Sequence, residues 1–221
     1  MSNANKIARI KDPVRTLRLI QKVKPSAIIA GGYYRDIFND VQYGGVDIYV
    51  SSGSTATHGS VFDGNIFDPD ITSHWEDLLE LKVHDFRSMD MIQELGEGDE
   101  DYDIDGTQNI VKVFGMIKSE IQYNIIVVVD EPIKFIEEDF DFNICKTYCD
   151  GKKIRFTKEF MSDAESKTIT FGQKRKTKMS QFCHAMDIHL PKLQRKYPQH
   201  KLVIPESHQE IYKQYQTGWV L

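Results

Sequence analysis

Residues 28–50 read IIAGGYYRDIFNDVQYGGVDIYV. A short apolar run ends in Gly31-Gly32, Arg35-Asp36 follow, and Asp47 stands alone inside a second apolar run. A strand that ends in glycines and opens a helix presents unsatisfied backbone N–H groups, which favour an anion. Glycine lets a phosphate approach the main chain closely. Arg35, on the first helical turn, is placed to clamp phosphate oxygens, and Asp36 reads as a structural partner of Arg35 or of the backbone. A strand carboxylate between Val46 and Ile48 must be paired, hydrogen-bonded or bound to metal. Alternation sets Asp47 on the face of Gly45 and Tyr49. A second isolated acid, Asp141, stands in the run DFDFNIC. Read as a strand, that run gives one face to Phe140, Phe142 and Ile144 and the other to Asp141 and Asn143. Two convergent carboxylates beside a phosphate turn suit a divalent ion such as Mg²⁺, which takes oxygen ligands and a substrate's phosphates.

Positioning these groups needs a sheet with helices on it. Asp12-Pro13 starts a helix carrying Val14, Leu17 and Ile20, and residues 27–30 read as a buried strand. A short helix follows over 33–38, then a strand over 46–50. Residues 51–72 read as loop, with Ser73 capping a helix that carries Trp75, Leu78, Leu79 and Leu81. Residues 111–117 and 121–129 read as paired strands and 132–138 as a helix. Residues 140–148 and 153–156 read as a strand pair turned at Asp150-Gly151. Met179, Phe182, Met186, Leu190 and Leu193 make an apolar stripe on a helix bent at Pro191, and 207–215 make a last helix. Helices between mixed strands predict an α+β fold.

The glycine stretch resembles the nucleotidyltransferase superfamily, in its poly(A) polymerase and tRNA CCA-adding branch. Gly31, Gly32, Arg35 and Asp36 match that branch's G-G-x-x-R-D motif residue for residue, and Asp139, Phe140 and Asn143 are similar to its D-F-x-x-N box. The layout also resembles small nucleotidyltransferase-like proteins of large tailed phages. The resemblance covers residues 25–50 and 120–160. It implies a mixed sheet flanked by helices. It implies transfer of a nucleoside monophosphate from an NTP to a hydroxyl on RNA, protein or a small molecule. Asp47 and Asp141 would hold Mg²⁺ as catalytic acids, and Gly31, Gly32, Arg35 and Asn143 would contact the nucleotide. Two departures stand out. Gly45 occupies the position of the first acid of the D-x-D strand, and Glu137-Glu138 occupy that of the arginines before the D-F box. With Gly45 there, a further acid would complete the cage, and Asp40, Asp139 and Asp150 are the candidates. The other outcome is a fold that binds nucleotide, nucleic acid or protein without turnover.

The chain has 221 residues and a net charge of −5. Residues 151–201 hold 13 Lys and Arg against 4 Asp and Glu, or +9, so the remainder carries −14. This predicts a core over 1–160 and a basic helical extension over 161–221 packed on it. Basic residues within 174–201 would face an NTP, RNA or a protein acceptor. No apolar run approaches the roughly 20 residues that span a bilayer, and MSNANKIARIKDP lacks a leader's apolar segment. Three cysteines without a metal-like cluster suggest reduced thiols in a cytoplasm, with Cys145 and Cys149 sharing a strand face. The run Asp101-x-Asp103-x-Asp105-Gly106 matches half of a calcium loop, but Lys112 stands where the bidentate Glu belongs. The seven histidines show no metal-ligand spacing, and no Walker loop or nucleophile elbow is present.

Overall fold

The computed structural model describes residues 13–22, 24–52, 109–118, 121–174 and 177–218. Asp12, the helix expected after Ser73 and the half calcium loop lie outside these residues. Helix α1 covers residues 13–20, with Leu17 and Ile20 fully buried. Strand β1 (Ile28–Ala30) runs into helix α2 (Gly32–Phe38), and strand β2 (Val46–Ser51) follows. Beyond the next segment come β3 (Ile110–Lys118), β4 (Ile121–Val128) and helix α3 (Pro132–Asp139), which starts with Pro in its first turn.

The described strands form a six-stranded sheet in the order β3-β4-β2-β1, then β5 (Thr147–Cys149) and β6 (Ile154–Phe156). Only β2 and β4 pair in parallel within it; the other neighbours are antiparallel. Alternation splits the sheet's side chains between two cores. Ile29, Ile48 and Val50 pack with Leu17, Ile20, Tyr33 and Tyr34 on one face. Ile28, Ala30 and Tyr49 pack with Phe135, Ile136 and Phe140 on the other. Burying each of the larger aliphatic and phenylalanine side chains among these stabilises the fold by about 1.5–3 kcal/mol.

Two expectations need correction. Residues 140–148 are not one strand: Asp141 is a bend, Phe142 bridges to Phe171, and Asn143–Cys145 form a 3₁₀ turn before the short β5. Phe142 and Ile144 both go into a separate core with Phe160, Phe171 and Phe182, and that capture breaks the alternation. Cys145 and Cys149 therefore share no strand face. The C-terminal part is helical as expected, with one short parallel strand pair added. After helix α4 (Lys158–Ser166), strand β7 (Thr168–Thr170) pairs in parallel with β8 (Lys201–Val203). Between them lies the striped helix, in three pieces: α5 (Met179–His184), a π-helical turn over Ala185–His189, and α6 (Leu190–Lys196). Pro191 has no N–H, and its ring opposes the carbonyl four residues back, so the preceding turn widens rather than merely bending. Phe182, Met186, Leu190 and Leu193 of the stripe are buried as expected. Helix α7 (Gln209–Gln216) closes the described chain. No described helix is long and apolar enough to cross a membrane.

Candidate functional site

A cleft of about 560 Å³ opens where the ends of β1 and β2 meet α6. That volume lies in the range of small-molecule sites. Gly31, Gly32, Arg35, Asp47 and Asp141 all line it, as do Tyr49, Asn124, Asp139, His189 and Lys192. Asn143 does not: it lines a separate depression with Lys174 and His208.

The glycine turn is built from the sheet. Gly31 has φ of 80°, a left-handed value that favours glycine. Its N–H donates to the Thr147 carbonyl at 3.0 Å, and its carbonyl accepts from the Thr147 hydroxyl at 3.0 Å. The Gly31 amide thus belongs to the sheet, and the first-turn amides of α2 remain as the helix's own donors. A Cβ on Gly32 would stand 3.0 Å from Arg35 Nη2, so Gly32 is what lets the guanidinium lie against the start of α2.

Arg35 turns inward. It is only 6% exposed. Its Nε donates to Asp36 Oδ1 at 2.6 Å and to the Tyr197 hydroxyl at 3.3 Å, and its Nη1 to Cys145 Sγ at 2.9 Å. Asp36, fully buried, also accepts from Tyr197 at 2.7 Å and from Lys196 at 2.5 Å. Asp36 is therefore structural, as its sequence position suggests, and it ties α2 to the end of α6. Burial pushes the Cys145 thiol up, against the lowering effect of Arg35.

Asp47 is set by strand register. The parallel pairing places it beside Asn124 of β4, whose Nδ2 donates to Asp47 Oδ1 at 2.9 Å. Gln122 in turn donates to Asn124 Oδ1 at 3.3 Å. A Cβ on Gly45 would meet the Gln122 carbonyl oxygen at 3.1 Å, so a side chain there needs β4 to give by a few tenths of an ångström. Asp141 reaches the cleft from the other side. Its Oδ2 contacts His189 Nδ1 at 2.5 Å. The π-turn brings His184 and His189, five residues apart, edge to face with centroids 4.7 Å apart. On an α-helix these positions would point well away from each other. Burial and the charges of Asp47, Cys145 and Asp141 together hold the Tyr49 hydroxyl well above its ordinary pKa. Tyr49, Phe135 and Phe140, with centroids 5.5–6.0 Å apart, form the cleft's apolar wall.

The donor set can be tested against the expected Mg²⁺ cage. Position 45 offers no side-chain oxygen, Asp47 accepts from an amide, and Asp141 is held by an imidazole. Among the described residues no group of three or more His, Cys, Asp or Glu is arranged to hold a metal ion. Of the candidate third acids, Asp139 lines the cleft, whereas Asp40 and Asp150 are not among its lining residues. The residues present do not make the expected cage. Sequence reasoning missed Asn124, His189 and Tyr197, and it gave Lys196 to a ligand where the structure gives it to Asp36. The one available signal was the five-residue spacing of His184 and His189 just before Pro191.

No family model and no curated protein matches the chain. Solved structures do. One, described as a tRNA-processing enzyme in apo form I, superposes with a TM-score of 0.54 at 16% identity over 94% of this chain and 47% of its own. Another, a CCA-adding enzyme in complex with ATP, gives 0.54 at 12% identity over 95% of this chain and 42% of its own. The chain spans less than half the length of these proteins, and at such identities the likeness is one of fold. The mixed sheet, its flanking helices and these superpositions together give the chain a nucleotidyltransferase-like α+β fold.

Proposed function

We propose that the cleft binds a nucleoside triphosphate, and that this chain is a nucleotide-binding protein on a nucleotidyltransferase-like fold without two-carboxylate metal chemistry. The observation that carries this reading is a strand with no side chain at Gly45, where a Cβ would crowd the Gln122 carbonyl, and with Asp47 bonded by the Asn124 amide. Phosphates would lie between the start of α2 and α6, with Gly31 and Gly32 shaping the floor and Arg35 supporting it from beneath. Asn143 drops out of this assignment because it faces another depression. Three free cysteines fit a reducing cytoplasm. RNA is proposed as a partner because one matching structure is a tRNA-processing enzyme.

A second reading has one observation in its favour: Asp47, Asp139 and Asp141 line one cleft. It is transfer of a nucleoside monophosphate, in which a hydroxyl oxygen bonds to the α-phosphorus, pyrophosphate leaves, and a cleft carboxylate takes the hydroxyl proton. Calorimetry with ATP, alongside incubation of α-labelled NTPs with RNA and cell extract, separates the two. The binding reading expects a saturable ATP isotherm and no labelled acceptor. Label that appears on an acceptor and is lost on Asp47→Ala would replace it with the transfer reading. Absence of binding by any NTP would defeat both.

A further inference from the structure

A second cavity lies beside the cleft. The segment after β7 runs along the D-F segment. Phe171 bridges to Phe142, the Gly172 N–H donates to the Asp141 carbonyl at 2.7 Å, and the Lys174 N–H donates to the Glu138 carbonyl at 2.8 Å. Between this segment and α7 opens a depression of about 930 Å³, within the range of small-molecule sites. Gln173 lines both this depression and the cleft.

Two side-chain amides flank Gly172. A Cβ on Gly172 would collide with Asn143 Oδ1, so a glycine there lets the Asn143 amide lie against the segment. Gln173 is 5% exposed, and its Nε2 donates to the Asp139 carbonyl at 3.3 Å. Its Oε1 is buried and accepts from no donor among the described residues. A buried acceptor of this kind calls for a donor from outside the chain. Met179, Ile211 and the His208 ring add apolar and aromatic surface, and His208 lies edge to face with Phe171. The lining charges do not favour an anion. Lys174 is paired with Glu159 at 3.1 Å, Glu210 adds an acid, and burial lowers the His208 pKa.

We propose that this depression binds a nucleobase, with Asn143 and Gln173 reading its hydrogen-bonding edge beside the surface of Met179, Ile211 and His208. Asn and Gln amides match the adjacent donor and acceptor of a base edge. Proteins that read unpaired bases combine such bonds with ring or apolar surface against the base plane. Gln173 Oε1 needs an N–H, so the base recognised carries one on that edge, as adenine does in its exocyclic amine. Two sources supply such a base, a free nucleoside and a single RNA strand, and the test separates them. The proposal concerns a cavity other than the triphosphate cleft and stands without the nucleotide-binding reading.

The test is calorimetry of the full chain with adenosine and, separately, with an adenosine hexanucleotide RNA. Saturable binding is expected, and excess inorganic triphosphate, which has no base, should leave it unchanged. Purine riboside lacks the exocyclic amine and should bind about tenfold more weakly, because Gln173 Oε1 stays unpaired. Asn143→Ala should lower affinity at least about fivefold. Gln214→Trp, at an exposed position of α7 that lines the depression, should block binding by filling it. Equal melting temperatures of parent and variants show that both variants fold. A hexanucleotide that binds tighter than adenosine, and loses its binding in the same variants, assigns the base to an RNA strand. One that binds no tighter assigns it to a free nucleoside. Binding of neither ligand overturns the proposal. So does binding that survives both variants, that is indifferent to the exocyclic amine, or that triphosphate displaces, and each of these last outcomes leaves the nucleotide-binding reading standing.

Discussion

Replacing Asp36 with alanine should remove a fully buried electrostatic support of the fold. Asp36 is 0% exposed and accepts from three donors: Arg35 Nε at 2.6 Å, Tyr197 at 2.7 Å and Lys196 at 2.5 Å. Arginine stays protonated in any such setting, and burial drives the Tyr197 hydroxyl pKa up, so it stays a donor at neutral pH. Asp36→Ala deletes the acceptor of all three and strands a guanidinium only 6% exposed. Breaking a buried pair by removing one partner costs about 3–5 kcal/mol. Against a typical total of about 5–15 kcal/mol, the variant would sit near the folding threshold. Guanidinium denaturation, read as a change in midpoint at constant slope, measures this. A second variant sharpens the test: Arg35→Met with Asp36→Leu replaces the pair by apolar groups of similar size. It should recover at least about 1.5 kcal/mol of the loss, because no charge is left buried alone. A loss below about 1 kcal/mol for Asp36→Ala, or a double variant no better than the single, would refute the argument.

Gly45→Asp should restore a strand acid beside Asp47 and confer a Mg²⁺-dependent rise in melting temperature that the parent lacks. The contact at 3.1 Å with the Gln122 carbonyl predicts a destabilisation of about 1–3 kcal/mol without metal. Lys146 donates to the Glu137 and Gly172 carbonyls and is 1% exposed. Burial, with Lys174 nearby, lowers its pKa from 10.5 to about 8. Between these values the unfolded chain keeps a proton that the folded chain has lost. Stability should therefore rise with pH across that window, by on the order of 1–3 kcal/mol. Denaturation midpoints of the parent minus those of Lys146→Met, from about pH 8 to about pH 10, should show this rise; a flat difference would contradict it. Asp163, 2% exposed, accepts from Thr168 Oγ1, Thr170 N and Thr170 Oγ1 at 2.6–2.8 Å. Asp163→Ala should cost about 2–4 kcal/mol by leaving the Thr170 N–H and hydroxyl without their acceptor, as read by chemical denaturation.

What the sequence by itself determined is local. Gly31-Gly32 announces a turn because only glycine accepts φ of 80° freely. Val46 to Val50 reads as a strand with Asp47 and Tyr49 sharing a face, and both line the cleft. The β3–β4 pair, α3 and the apolar stripe of α5–α6 follow from alternation, from a proline in a first turn and from helical spacing. These are signals carried by neighbours a few residues apart. Packing of distant segments set what Asp47, Asp141 and Lys196 meet. The partner of Asp47 is 77 residues away, that of Asp141 is 48 away, and Lys196 reaches Asp36 across 160. Parallel register chose Asn124, and no local pattern encodes register between strands so far apart. Capture of Phe142 and Ile144 by a distant core overrode alternation around Asp141. A missing N–H at Pro191 opened the turn that swings His189 onto that acid. The carboxylates are legible in the sequence as chemistry in waiting; whether they face a metal, an amide or an imidazole is settled only when distant segments pack.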